Sequence, residues 1–151
     1  MRSPARVRAL LALAAALPAL AGCEASSQVL AANISLGVAD TTFALRVGQE
    51  VRVGATVLRI AFLAVTEDSR CPSQVMCIWA GNAAVRIGVA FGTGPTVPYL
   101  LNTFSEPHAV DLGSYRVTLL RLDPYPIQPG PIPADRYVAT FRLQRLGYAP
   151  D

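Results

Sequence analysis

The chain has no lysine. All thirteen of its basic residues are arginine, and it has one histidine, one tryptophan, two methionines and three cysteines in 151 residues. The lack of lysine reads as a coding bias and not as chemistry. A single histidine, His108, excludes a histidine-built metal centre and leaves one candidate imidazole for acid–base work. No apolar run is long enough to span a bilayer, which takes about 20 residues; the longest, Ala9 to Leu20, has twelve. A 3.6-residue apolar period is absent, so a helical domain is not expected. There is no phosphate-cradling glycine motif, Gly92 to Gly94 reading as a turn, and the acidic residues do not have calcium-loop spacing.

The N-terminus combines Arg2, Arg6 and Arg8 with the short apolar run and then "LAGC", Leu20 to Cys23. This is the layout of a secretory signal, whose apolar region runs to about 7–15 residues. "LAGC" resembles the lipobox of bacterial lipoproteins, in which cleavage precedes a cysteine that becomes acylated. An ordinary secretory signal with a chance cysteine is the alternative. The organisation expected is a signal peptide over 1–22, a lipidated tether over 23–33 and one domain over 34–151. Two or three acyl chains on Cys23 would hold the protein stably, where a single chain holds marginally. Localisation is then the bacterial cell envelope. Glu24 is a weak match to an inner-membrane retention signal, so the expected site is the periplasmic face of the outer membrane if the cell has one. Loss of the three leading arginines leaves ten basic against ten acidic residues, and net charge gives no argument for a nucleic-acid partner.

The remaining chain alternates as strands do. In Thr42 to Val47, Phe43, Leu45 and Val47 share a face. Gln49 to Gly54 is a short strand between turns. Thr56 to Val65 is apolar on both faces, as a doubly buried central strand would be. Asn82 to Phe91, Thr96 to Phe104, Ser114 to Leu122 and Asp135 to Leu146 follow, with Pro98 marking an edge strand or a strand start. The fold expected is all-β, a single antiparallel β-sandwich or small barrel of about seven or eight strands. Asp123 to Ala134 carries five prolines in twelve residues. It reads as a rigid connection, with a polyproline ligand as the alternative.

"EDSRCPSQVMCIWAGNAAVRI", Glu67 to Ile87, departs from this pattern. An isolated cysteine pair in an exported protein is most simply a disulfide, so Cys71 and Cys77 are expected to be joined. Asp68 and Ser69 can accept backbone N–H bonds at the entry, and Gly81 permits a positive φ or a close approach. The segment is expected to be a stapled crossover, with Trp79 covering the disulfide. Sharper readings compete. Redox catalysis prefers C-x-x-C at a helix start. Cys71, Met76 and Cys77 could offer soft ligands to copper. A braced loop could instead carry a recognition surface of Arg70, Gln74, Val75, Met76, Ile78 and Trp79.

"DSRCPSQVMCIWAGNAAV", with "YLLNTF" and "YRVTLLRLDPYP" after it, resembles a group of uncharacterised bacterial envelope lipoproteins. That resemblance implies export, a β fold and the disulfide, and no catalysis or cofactor. "SEPH", Ser105 to His108, could be imagined as a hydrolase site gathering Glu106 or Asp111, but it lacks a nucleophile turn and an oxyanion hole. The function expected is a non-enzymatic binding or structural module, with the membrane as partner through acylated Cys23 and an envelope protein as a second candidate. The candidate partner-binding residues are Arg70, Met76 and Trp79.

Overall fold

A computed structural model describes residues 35–36, 40–54 and 58–147. The expected signal peptide and lipidated tether, Cys23 included, lie outside the described residues. The strands are β1 (Ser35–Leu36), β2 (Thr41–Arg46), β3 (Glu50–Val53), β4 (Leu58–Asp68), β5 (Ala83–Phe91), β6 (Val97–Asn102), β7 (Ala109–Leu112), β8 (Tyr115–Asp123) and β9 (Val138–Arg145), with one 3-10 turn at Ala134–Arg136.

They form two sheets, ordered β1-β3-β4-β5-β6 and β2-β9-β8-β7. Every pairing is antiparallel except the two-residue β1–β3 pair. The sheets pack face to face as a β-sandwich, which decides between the two architectures expected. Alternation sets the core: Phe43 and Leu45 of β2, Val51 and Val53 of β3, Leu58, Ile60 and Phe62 of β4, and Ala139, Phe141 and Leu143 of β9 all point inward and are buried. The two layers meet at Phe62 and Phe141, whose rings stand edge to face with centroids 6.3 Å apart. Phe43 lies 5.7 Å from the same ring.

Three details correct the sequence reading. β4 is buried on one face only, with Leu63 exposed. The strand most deeply buried on both faces is β5, because its outer residues Ala84, Gly88 and Ala90 are small enough for neighbours to cover, only Arg86 and the terminal Phe91 being exposed. A Cβ on Gly88 would meet Thr96 Cγ2 at 2.7 Å and Leu63 Cδ1 at 3.2 Å, so Thr96 and Leu63 are the cover there, and Leu63 stays exposed itself. β7 is an additional edge strand, only four residues long and hard to see between polar turns. A bulge between Leu119 and Arg121 shifts the phase of β8, which leaves Leu120 exposed and turns Leu122 inward. Pro98 lies on β6, an edge strand, where a missing donor costs no ladder bond.

β4 and β5 are adjacent antiparallel partners, paired up to Asp68 and Ala83. The cysteine segment is therefore the long connection of a hairpin and not a crossover. It emerges at the same end of the sandwich as the β6–β7 and β8–β9 connections.

Candidate binding surface at the loop end

Arg70 organises this end from inside. Its guanidinium is buried, with 7% of the residue exposed. Nε and Nη2 donate to the two Asp68 carboxylate oxygens at 2.8 and 2.6 Å. Nη1 donates to Leu122 O at 2.5 Å and Nη2 to Pro124 O at 2.9 Å. The cation also sits over the Tyr125 ring, 5.3 Å from its centroid. Tyr137 donates its hydroxyl to Asp68 Oδ2 at 2.9 Å. Burial alone would raise the Asp68 pKa, but the hydrogen bonds from Arg70 and Tyr137 outweigh it and hold the carboxyl below its usual 3.8. Burial and then the hydrogen bond to Asp68 push the Tyr137 phenol up to about 12.

Arg70 thus clamps the disulfide loop to the β8–β9 connection, and its donors are spent inside the protein. That corrects the expectation that Arg70 anchors a partner. A buried arginine is tolerated here because its partner carboxylate and two backbone carbonyls absorb its charge and donors.

Cys71 and Cys77 form a disulfide, with Cα atoms 6.0 Å apart. The loop it closes is fixed from several sides. Cys71 N–H donates to Ala80 O at 2.9 Å and Ser69 N–H to Asn82 O at 2.7 Å. Ser73 and Gln74 donate their N–H groups to Pro126 O and Ile127 O at 3.0 and 3.1 Å, so the proline connection is laced to the disulfide loop by its backbone. As expected, Asp68 and Ser69 accept backbone bonds at the entry, from Arg70 N–H and Asn82 N–H. Gly81 has φ +70°, and a Cβ there would lie 1.8 Å from Ser69 O. No residue with a side chain fits that position.

Asn82 ties in the third connection. It donates through Nδ2 to Asn102 Oδ1 at 2.8 Å and accepts through Oδ1 from Phe104 N–H and Ser105 N–H at 3.0 and 3.3 Å. Sequence reasoning passed over Asn82 and the clamping role of Arg70. Asp68 two residues before Arg70 is a turn signal that could have pointed to the second; nothing in the sequence marks the first.

The apolar side chains of this braced end point outward. Met76, Ile78 and Trp79 are 101, 92 and 82% exposed, and Phe104 is 67% exposed. Trp79 does not cover the disulfide as expected. Among the described residues, seven of the twelve exposed large apolar side chains are at this end: Val75, Met76, Ile78, Trp79, Phe104, Tyr125 and Ile127. A hollow of about 460 Å³ opens between Trp79 and Phe104. A cleft of about 430 Å³ lies on the other side of the loop, lined by Asp68, Arg70, Pro72, Pro126, Ile132 and Tyr137 among others. The loops lack charge as well: neither Cys71 to Val85 nor Pro124 to Ala134 contains a charged residue.

His108 lines neither cavity. Its Nδ1 lies 2.8 Å from Asn102 O, and its Nε2 is 3.6 Å from Glu106 Oε1. Asp111 is engaged by Arg116 through two bonds of 2.6 and 2.8 Å. The groups imagined for a hydrolase are therefore gathered in neither of these two cavities. The disulfide removes both thiolates from the copper donor set, leaving Met76 alone. Among the described residues, no cluster of three or more His, Cys, Asp or Glu could hold a metal ion. No family model matches the chain, and no curated protein or solved structure matches it either.

Proposed function

We propose that this protein is a non-enzymatic binding module of the bacterial cell envelope, anchored through acylated Cys23, whose working surface is the loop end of the sandwich. The observation that carries the reading is the outward display of Met76, Ile78 and Trp79 on a rigid frame. Fully burying a large apolar side chain is worth about 1.5–3 kcal/mol. Three such side chains held in water by a disulfide, a buried ion pair and a glycine that tolerates no substituent are not there to stabilise the fold. A stiff loop also loses little entropy when it binds, and large contiguous apolar patches mark interaction sites.

Oxidative footprinting tests this and requires no identified partner. The protein in its native envelope is compared with an unlipidated C23S form in solution. Met76 and Trp79 should be protected in the envelope, while Phe91 and Val97 at the opposite end react equally in both. Equal reactivity of Met76 and Trp79 in the two settings would refute a working surface at this end.

A further inference from the structure

We infer that the occupant of the loop end is a lipid bilayer, into which Met76, Ile78 and Trp79 insert so that the sandwich stands on its anchor in one orientation. This rests on the reading above and names the partner class for the same surface.

The first argument is the chemistry of the tip. A bilayer excludes charge from its apolar region. The two longest loops at this end carry none over fifteen and eleven consecutive residues, 71 to 85 and 124 to 134. The side chains at the extremity are a methionine, an isoleucine and a tryptophan that protrude almost completely. Tryptophan favours the membrane interface, where its ring is apolar and its N–H can stay wet. The opposite end of the sandwich is different: its β7–β8 hairpin carries Asp111 and Arg116, and Arg145 pairs beside it.

The second argument is the path of the chain. β4 runs toward the loop end, and β3 is antiparallel to it. β1 is parallel to β3 and therefore runs away from the loop end. β1 thus heads away from that end, and its first residue lies near the opposite end of β4. Ser35 is level with Arg52 and, through it, Arg59. That is nine residues before Asp68, roughly 30 Å along β4. Cys23 precedes Ser35 by 35 − 23 = 12 residues, which reach up to about 40 Å when extended. Fully extended, those twelve residues reach far enough for Cys23 and the tip to meet one membrane plane, so the anchor permits this orientation and the tip chemistry selects it.

The third argument is electrostatic and restricts the mode of binding. The charges bordering the tip are Glu67, Glu106, Asp135 and Arg136, with Asp123 at the end of β8 paired to Arg121 at 2.6 Å, four acidic against two basic. Attraction to anionic headgroups is therefore not the driving force. Attachment is apolar, and it should be insensitive to salt and no stronger on anionic than on zwitterionic vesicles.

Trp79 is the only tryptophan, so its emission reports this surface alone. The full-length lipidated protein is reconstituted in phosphatidylcholine vesicles with plain or brominated acyl chains. The expected result is a blue-shifted Trp79 emission that bromination quenches and aqueous iodide does not. The M76S/I78S double variant, which keeps the tryptophan, should lose most of that quenching without a change in Tm. A Trp79 untouched by bromination and open to iodide overturns the inference. Shielding from iodide that grows with protein concentration, without bromolipid quenching, also overturns it and identifies a second copy as the occupant. If bromolipid quenching fails while Met76 is still protected in native envelopes, the working surface stands and its partner is a protein. If both fail, both readings fall.

Discussion

Arg70 and Asp68, two residues apart, form a forked ion pair in which the guanidinium spans both carboxylate oxygens at 2.8 and 2.6 Å. The pair joins the end of β4 and the disulfide loop to the end of β8 and the connection that follows it. Removing one partner would leave the other buried and uncompensated. Arg70→Ala should lower stability by about 3–5 kcal/mol, as breakage of a buried pair does. Arg70→Lys should recover only part of this, because an ammonium cannot reach the carboxylate and the Leu122 and Pro124 carbonyls in the same fork. Denaturant unfolding of the two variants gives both numbers.

The same carboxylate makes stability depend on acid. Asp68 has a folded-state pKa below its usual 3.8. Its stabilising contribution is therefore present above about pH 4 and is lost as pH falls through the lower folded value. Asp40 and Asp111, held low by hydrogen bonds from Arg142 and Arg116, act in the same direction. Asp68→Asn should flatten the acid limb of Tm against pH relative to wild type, leaving the part due to the other two. At the alkaline end the sign reverses. Tyr137 has its pKa raised from 10.0 to about 12, so its contribution holds below about pH 10 and fades toward pH 12. A tyrosinate titration should show one phenol ionising late, and Tyr137→Phe should remove that step.

Gly81 and Gly113 separate two costs of replacing a glycine. Both have positive φ, +70° and +62°. Around Gly113 nothing lies within 4 Å of a built Cβ, whereas at Gly81 that atom would overlap Ser69 O at 1.8 Å. Gly113→Ala should cost only the left-handed conformation, about 1–2 kcal/mol. Gly81→Ala should cost clearly more and should disturb the loop. Differential scanning calorimetry of the two alanine variants orders them, and a reversed order would mean that the Gly81 backbone can move away from Ser69.

The disulfide closes a short loop, so its entropic contribution is limited to about 2–2.5 kcal/mol. C71S/C77S should lower stability by that amount and keep the β-sheet circular dichroism, since the core lies in the strands. Native unreduced protein should present no alkylatable thiol at either position.

The strands were legible because alternation is a local signal. Phe43 and Leu45, or Tyr137, Ala139, Phe141 and Leu143, declare an inner face without reference to the rest of the chain. The cysteine pairing was legible because Cys71 and Cys77 lie six positions apart and the third cysteine, Cys23, was expected to be acylated. What could not be read is set by contacts distant in sequence. Arg70 reads as an exposed interface residue until Leu122 and Pro124, more than fifty positions away, come over it. Trp79 reads as a core residue until the loop that carries it turns its side chain outward. β5 escaped as the most deeply buried strand because Ala84, Gly88 and Ala90 on its outer face are small and cover comes from other elements, Thr96 and Leu63 at Gly88.

Trp79 supplies the sharpest test of how this end is built. If the indole were a structural lid over the disulfide, removing it would open the core, and truncating a buried aromatic costs about 3–5 kcal/mol. With most of its surface in water, it instead contributes little to the folded state. Trp79→Ala should change stability by no more than about 0.5 kcal/mol, the usual range for surface substitutions. Ile78→Ser should behave the same way for the same reason. Phe141→Ala, at the contact between the two sheets, should show the full cost of a buried aromatic and serves as the internal reference. In solution, the unlipidated C23S form should give a red-shifted Trp79 emission that acrylamide quenches freely. A blue-shifted, protected Trp79 in that form, together with a large loss of stability in Trp79→Ala, would place the indole in the core and remove the main anchor of the surface.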